Sequence, residues 1–142
     1  MRTMTIGLCE RASVIAAGCW RMNAVPADRA AEWLAAALDA GINFFDHADI
    51  YGGGSCEDIF GAAMAALGVP RDRVYLQSKC GIRPRMYDFS KEHILEAVEG
   101  SLRRLRTDYI DLYQLHWPAR NQPLFGQLPF DPARERESTP IR

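Results

Sequence analysis

The chain has 142 residues, of which 48% are hydrophobic and 25% are charged, a composition typical of one globular domain. Its formal net charge is −1, and the basic run at 103–106 is explained as the solvated end of a helix, so nucleic-acid binding is not expected. No apolar run approaches the roughly 18 residues that a membrane span needs, and the first residues lack the apolar core of a signal peptide.

The cysteine spacing gives no sign of a redox pair or a zinc site. The four cysteines contain no Cys-x-x-Cys pair. We therefore expect reduced thiols in a cytoplasmic protein. They are Cys9, Cys19, Cys56 and Cys80.

Apolar runs and helical patterns alternate along the chain. Residues 13–20 predict a strand, and the next pattern predicts a helix with Pro26 in its first turn and Gly41 after its last. Residues 42–48 predict the second strand. Ser55 is expected to open the second helix, with Asp58 as its capping-box partner.

The alternation continues to residue 118. Residues 74–81 predict the third strand, Ser90 is expected to cap the third helix, and residues 109–118 predict a fourth strand closed by Pro118. This order predicts right-handed crossovers and a parallel sheet. The third helix is expected to bury one stripe, formed by Ile94, Leu95, Val98, Leu102 and Leu105.

The remaining residues, 119–142, predict an irregular, proline-rich tail. Four strands are too few to close an eight-stranded barrel. The sheet therefore stays open, pairs with another copy, or belongs to a longer protein. An open sheet would expose an apolar face and an unpaired edge, which favour self-association.

Polar residues stand where three successive strands end. Asp46 ends the second strand with Tyr51 in the following loop, Lys79 ends the third, and His116 ends the fourth. Because ligands bind at the carboxyl ends of parallel strands, these four side chains are expected at one rim. Each residue alone has a structural explanation, such as a turn cap or a satisfied core histidine, and their convergence is what favours function.

This set of side chains suits proton donation to a carbonyl. A phenol is a poor acid near neutrality, and a lysine cation beside it favours the phenolate. An aspartate paired with the lysine keeps it charged and oriented, and a neutral histidine can orient the substrate oxygen. Tyr51 is then the general acid, and a cofactor delivers the hydride.

Two other kinds of site were weighed. His47, Asp49, Cys56 and His116 are of metal-ligand type, but His47 and Asp49 alternate with Asp46 along the strand and are expected to face the other way, so no metal is predicted. The glycines at 52–54 could cradle a phosphate, although no Gly-Lys-Ser/Thr follows them. A sharp turn into the second helix explains them better.

Several segments resemble the aldo-keto reductase superfamily. The stretch DHADIYGGGSCEDIFGAAM resembles its Asp-x-Ala-x-x-Tyr-Gly signature, while LQSKCG, DLYQLHWP and AAGCWRM resemble its third-, fourth- and first-strand motifs. The likeness covers roughly residues 13–118. The signature is closest to a bacterial oxidoreductase subgroup and the tail LHWPARNQPLFGQLPF resembles a Tas-like subgroup, so both subgroups stay open.

The resemblance implies the N-terminal half of a (β/α)8 TIM barrel in residues 1–118, with about four parallel strands and three helices. It also implies NADPH-dependent reduction of an aldehyde or ketone, with Tyr51 as proton donor, Lys79 and Asp46 supporting it, and His116 orienting the substrate. It implies further that Cys19, Trp20 and Asp46 lie near the nicotinamide. The alternative is an inactive half-barrel that acts only by association with itself or a partner chain.

Overall fold

The computed structural model describes residues 1–84 and 86–117, so the predicted boundary at 118 and the tail at 119–142 lie outside the described residues. No helix in these two ranges is long and apolar enough to cross a membrane. The strands are β1 (Thr3–Ile6), β2 (Cys9–Ser13), β3 (Ala16–Gly18), β4 (Phe44–Asp46), β5 (Tyr75–Cys80), β6 (Ile82–Arg83), β7 (Met86–Tyr87) and β8 (Leu112–Leu115), and the helices are α1 (Ala27–Asp39), α2 (Ser55–Leu67) and α3 (Lys91–Leu105).

The central sheet has the order β3-β4-β5-β8, and all its neighbouring pairs are parallel. Each crossover carries one helix, as the alternating pattern predicted. This arrangement confirms the predicted N-terminal half of a (β/α)8 barrel. The strands are shorter than their apolar runs, and the first of them holds only Ala16–Gly18.

Two small hairpins were not predicted. β1 pairs with β2, so Ser13, expected in the first sheet strand, belongs to the hairpin. β6 pairs with β7 immediately after β5. Gly81 makes the turn between β5 and β6 with a φ of 109°, and a Cβ there would run into the ring of Phe89. Glycine is therefore required at this position.

The observed helix ends agree only in part with those predicted from the sequence. Ser90 caps α3 as expected, since its Oγ accepts from the backbone N–H of His93 at 3.3 Å. The capping box at the start of α2 is wrong, because Gly54 occupies the cap and the Ser55 hydroxyl donates to the Gly52 carbonyl at 2.7 Å. Pro26 precedes α1 as its cap and lies outside the first turn.

The main core lies between the sheet and the three helices. Phe45 of β4 packs on Phe60 of α2 with ring centroids 5.0 Å apart, and both side chains are fully buried. The stripe predicted for α3 is partly wrong, because Leu95 is exposed. The buried residues of α3 are instead mostly small or polar: His93, Ala97, Gly100, Ser101 and Leu105.

Candidate active site

The four polar residues predicted at the strand ends lie together at the carboxyl edge of the sheet. Asp46 is the last residue of β4, Lys79 is the next to last of β5, and His116 follows β8 directly. Tyr51 begins a short 3₁₀ turn, Tyr51–Gly54, that leads into α2. The parallel registers align these ends, so the side chains of elements far apart in sequence meet.

The ammonium group of Lys79 is the centre of this group. It donates to Asp46 Oδ1 at 2.7 Å, to the His47 carbonyl at 2.7 Å and to Tyr51 Oη at 3.1 Å. Three acceptors match its three N–H donors. The side chain is only 11% exposed, so the paired carboxylate offsets the cost of burying the cation.

Asp46 is held from two sides. Its Oδ1 also accepts from Gln77 Nε2, and its backbone carbonyl accepts from the backbone N–H of Cys19 at 2.9 Å. Gln77 was missed by the sequence analysis. Its position two residues before Lys79, on the same face of β5, was the signal that could have found it.

Tyr51 is framed by two aromatic side chains. The His116 ring meets it edge-on with centroids 5.9 Å apart, and the Trp20 ring lies 6.2 Å away. Burial, followed by the Lys79 ammonium, lowers the pKa of His116, while Asp46 opposes this effect. The imidazole is therefore neutral at neutral pH, and its Nδ1 is buried without a partner among the described residues.

Trp20 and Cys19, both predicted near a cofactor, differ in exposure. Trp20 leaves 63% of its surface exposed beside Tyr51. The Cys19 side chain is buried, and its thiol donates to the Ala17 carbonyl at 3.6 Å. Burial raises the pKa of this thiol far above its ordinary value, so it stays protonated.

The side chains weighed as metal ligands do not converge. Within residues 1–84 and 86–117, no three His, Cys, Asp or Glu side chains are grouped to hold a metal ion. His47 points into the core with its ring 4.5 Å from that of Phe60, and burial, helped by Lys79, lowers its pKa to about 3. Cys56 donates to the backbone carbonyl of Trp20 at 3.3 Å.

A buried ion pair behind the site was also missed. Glu57 of α2 is fully buried and pairs with Arg104 of α3 at 2.7 Å. This corrects the prediction that the basic run at 103–106 is wholly solvated. Nothing in the sequence marks the pairing, because the partners are 47 residues apart.

The model of the Aldo/keto reductase family matches residues 14–135 of this chain. The uncharacterized oxidoreductase YcsN of Bacillus subtilis is 44% identical over 116 residues, which cover 71% of this chain and 38% of that protein. The 6-dehydroglucose reductase of Novosphingobium aromaticivorans is 46% identical over 116 residues, which cover 75% and 38%.

Solved structures of aldo-keto reductases are also similar to this chain. The holo form of the aldo-keto reductase AKR11C1 from Bacillus halodurans superposes with a TM-score of 0.71 at 36% identity, covering 81% of this chain and 40% of that one. An aldo/keto reductase from Klebsiella pneumoniae in complex with NADP and acetate gives a TM-score of 0.68 at 34% identity, covering 82% and 39%. The chain thus spans about two fifths of the length of these relatives.

Proposed function

This chain belongs to the Aldo/keto reductase family, and we propose that its strand-end site reduces an aldehyde or ketone with NADPH as part of a longer enzyme. The observation that carries the proposal is the hydrogen bond from Lys79 Nζ to Tyr51 Oη, together with the Asp46 carboxylate on the same ammonium. This is the set of groups that a phenol needs to act as a proton donor.

The direction of the Lys79–Tyr51 bond gives the phenol its role. Because an ammonium can only donate, Tyr51 Oη accepts from Lys79 and directs its own O–H elsewhere. A carbonyl oxygen in front of Tyr51 can receive that proton as the C–H bond forms at the carbonyl carbon, which yields an alcohol. The phenolate left behind is stabilised by the Lys79 cation.

His116 and Asp46 have supporting roles. The neutral imidazole of His116 carries one N–H, which can donate to the substrate oxygen and hold it near the Tyr51 hydroxyl. Asp46 pairs with the Lys79 ammonium and orients it, and Gln77 fixes the Asp46 carboxylate. His116 therefore orients the substrate oxygen, and Tyr51 protonates it.

The described residues fit the reactive end of NADPH, which supplies the hydride when bound. The exposed Trp20 ring beside Tyr51 offers an apolar surface for a flat ring at the site. The Cys19 side chain can shape this region only from beneath, because it is buried. The Klebsiella pneumoniae relative, whose structure contains NADP, supports this choice of cofactor.

The test is NADPH oxidation with a panel of aldehydes and ketones, measured by loss of NADPH absorbance. Tyr51→Phe should lower the rate at least about 100-fold, since the general acid is lost, while NADPH binding measured by fluorescence stays within about two-fold. Tyr109→Phe is the matched control, because Tyr109 packs on Arg71 at the opposite end of β8. Activity retained in Tyr51→Phe would assign the proton to another group.

A second candidate is a half-barrel that acts only by association with itself or a partner chain. Large apolar side chains are exposed next to the two edge strands, with Ile15 before β3 and Leu115 at the end of β8. Such surfaces favour association. Light scattering of the purified chain tests this candidate, and a monodisperse monomer that binds NADPH would count against it.

A further inference from the structure

The carboxylate of Glu57 joins three elements of the fold. Its Oε1 accepts from Ser78 Oγ of β5 at 2.6 Å, and its Oε2 accepts from Arg104 Nε of α3 at 2.8 Å. Glu57 itself lies in the first turn of α2 and is fully buried. A buried carboxylate is costly unless its oxygens are paired, and both oxygens are paired here.

Arg104 fills the space beside two glycines. A Cβ on Gly54 would lie 3.0 Å from both Cδ and Nε of Arg104, and a Cβ on Gly100 would lie 2.9 Å from its Nη1. The arginine side chain therefore packs directly on the backbone of Gly54. That residue is the last of the turn that begins with Tyr51.

The hydrogen bonds within this turn join backbone groups: the Tyr51 N–H donates to the Ala48 carbonyl at 3.0 Å and the Gly53 N–H to the Ile50 carbonyl at 2.9 Å. Its three glycines, at 52–54, all adopt positive φ values, of 58°, 64° and 95°. Glycine has wide conformational freedom and no side chain to pack. Side chains from outside the turn hold it further: the Ser55 hydroxyl, at the start of α2, donates to the Gly52 carbonyl at 2.7 Å, and the Arg104 side chain fills the space next to Gly54.

The network therefore reaches the neighbourhood of both Lys79 and Tyr51, which are joined by a hydrogen bond. Ser78 directly precedes Lys79 on β5, and Gly54 lies three residues after Tyr51. We propose that Glu57 and Arg104 are positioning residues that hold the Tyr51 phenol against the Lys79 ammonium. This inference rests on the proposed role of Tyr51.

The first test needs no catalytic activity. The chain is labelled with ¹³C-tyrosine, and the ring signal of Tyr51 is assigned by its loss in Tyr51→Phe. Arg104→Lys should shift or broaden that signal, while Arg103→Lys should leave it in place, because Arg103 is exposed on the same helix. A Tyr51 signal that is unchanged in Arg104→Lys would overturn the proposal.

The second test is kinetic. Arg104→Lys should lower kcat about 10- to 100-fold and leave KM within about two-fold, since misplacing a reacting group affects the chemical step. An equal fall in Arg103→Lys would overturn the proposal. If the longer enzyme that contains this chain reduces no carbonyl, the proposed function is wrong, and the Tyr51 signal still decides whether the positioning holds.

Glu57→Gln is the second variant, because it keeps the shape of the side chain and removes its charge. We expect it to move the Tyr51 signal in the same way as Arg104→Lys. Loss of cooperative unfolding in both variants would assign the pair to the stability of the fold and overturn the positioning role.

Discussion

Replacing Lys79 by methionine tests the geometry of the site without any substrate. The methionine stem keeps most of the apolar contacts and removes the ammonium, so Asp46, the His47 carbonyl and the Tyr51 hydroxyl each lose a partner. Removing one partner of a buried ion pair costs about 3–5 kcal/mol. The Asp46 side chain is 26% exposed and keeps its bond from Gln77, so solvent recovers part of that cost.

We therefore expect Lys79→Met to lower the free energy of unfolding by about 2–4 kcal/mol. The assay is a urea titration followed by circular dichroism, with an unchanged m-value as the sign that the unfolded state is the same. Lys91→Met is the matched control, because Lys91 is exposed at the start of α3, and it should change stability by less than about 0.5 kcal/mol. A difference between the two variants below about 1 kcal/mol would refute the ion-pair argument.

Two other predictions concern the folding of the chain around the site. The lowered pKa of His47, about 3, means that the unfolded chain binds a proton that the folded chain does not, so stability falls as the pH drops from about 6.5 towards 3. His47→Leu should reduce the loss of unfolding free energy between pH 6.5 and 5 by about 1.6 kcal/mol in urea titrations. An unaltered pH dependence would contradict the buried imidazole. Gly81→Ala should lower the free energy of unfolding by at least about 2 kcal/mol more than Gly53→Ala does. Both positions have positive φ, but only the Cβ at position 81 meets the Phe89 ring. Equal melting temperatures of the two variants would show that the ring moves aside.

The order of the strands and helices could be predicted from the sequence, because hydrophobic periodicity and the residues that mark helix ends are local features. The alternation of apolar strands with helices of one-sided pattern led directly to the parallel sheet, which the structure confirms. The placement of Asp46, Lys79 and His116 at one edge of the sheet was predictable for a related reason, since each is a polar residue at the end of an apolar run. Because ligands bind at the carboxyl ends of parallel strands, these residues were expected to lie at the same edge of the sheet.

What the sequence did not reveal depends on pairing between distant residues. Gln77 lies on the same face of β5 as Lys79, but only the structure shows that its amide donates to Asp46. Arg104 looked like a solvated cation, and only the packing of α3 on α2 brings it to the buried Glu57. The β1–β2 hairpin was missed because its strands have only four and five residues and β1 is largely exposed, which leaves little hydrophobic pattern to detect.

The three hydrogen bonds of Lys79 have a consequence for a site that is proposed to bind aldehydes. A free amine attacks the carbonyl carbon of an aldehyde through its lone pair and forms an imine. Such an imine on Lys79 would remove the ammonium that donates to Tyr51. To expose a lone pair, the Lys79 nitrogen would have to give up one of its hydrogen bonds to Asp46, the His47 carbonyl or Tyr51. Reductive methylation of the folded chain should accordingly modify the exposed Lys91 and spare the lysine beside the phenol.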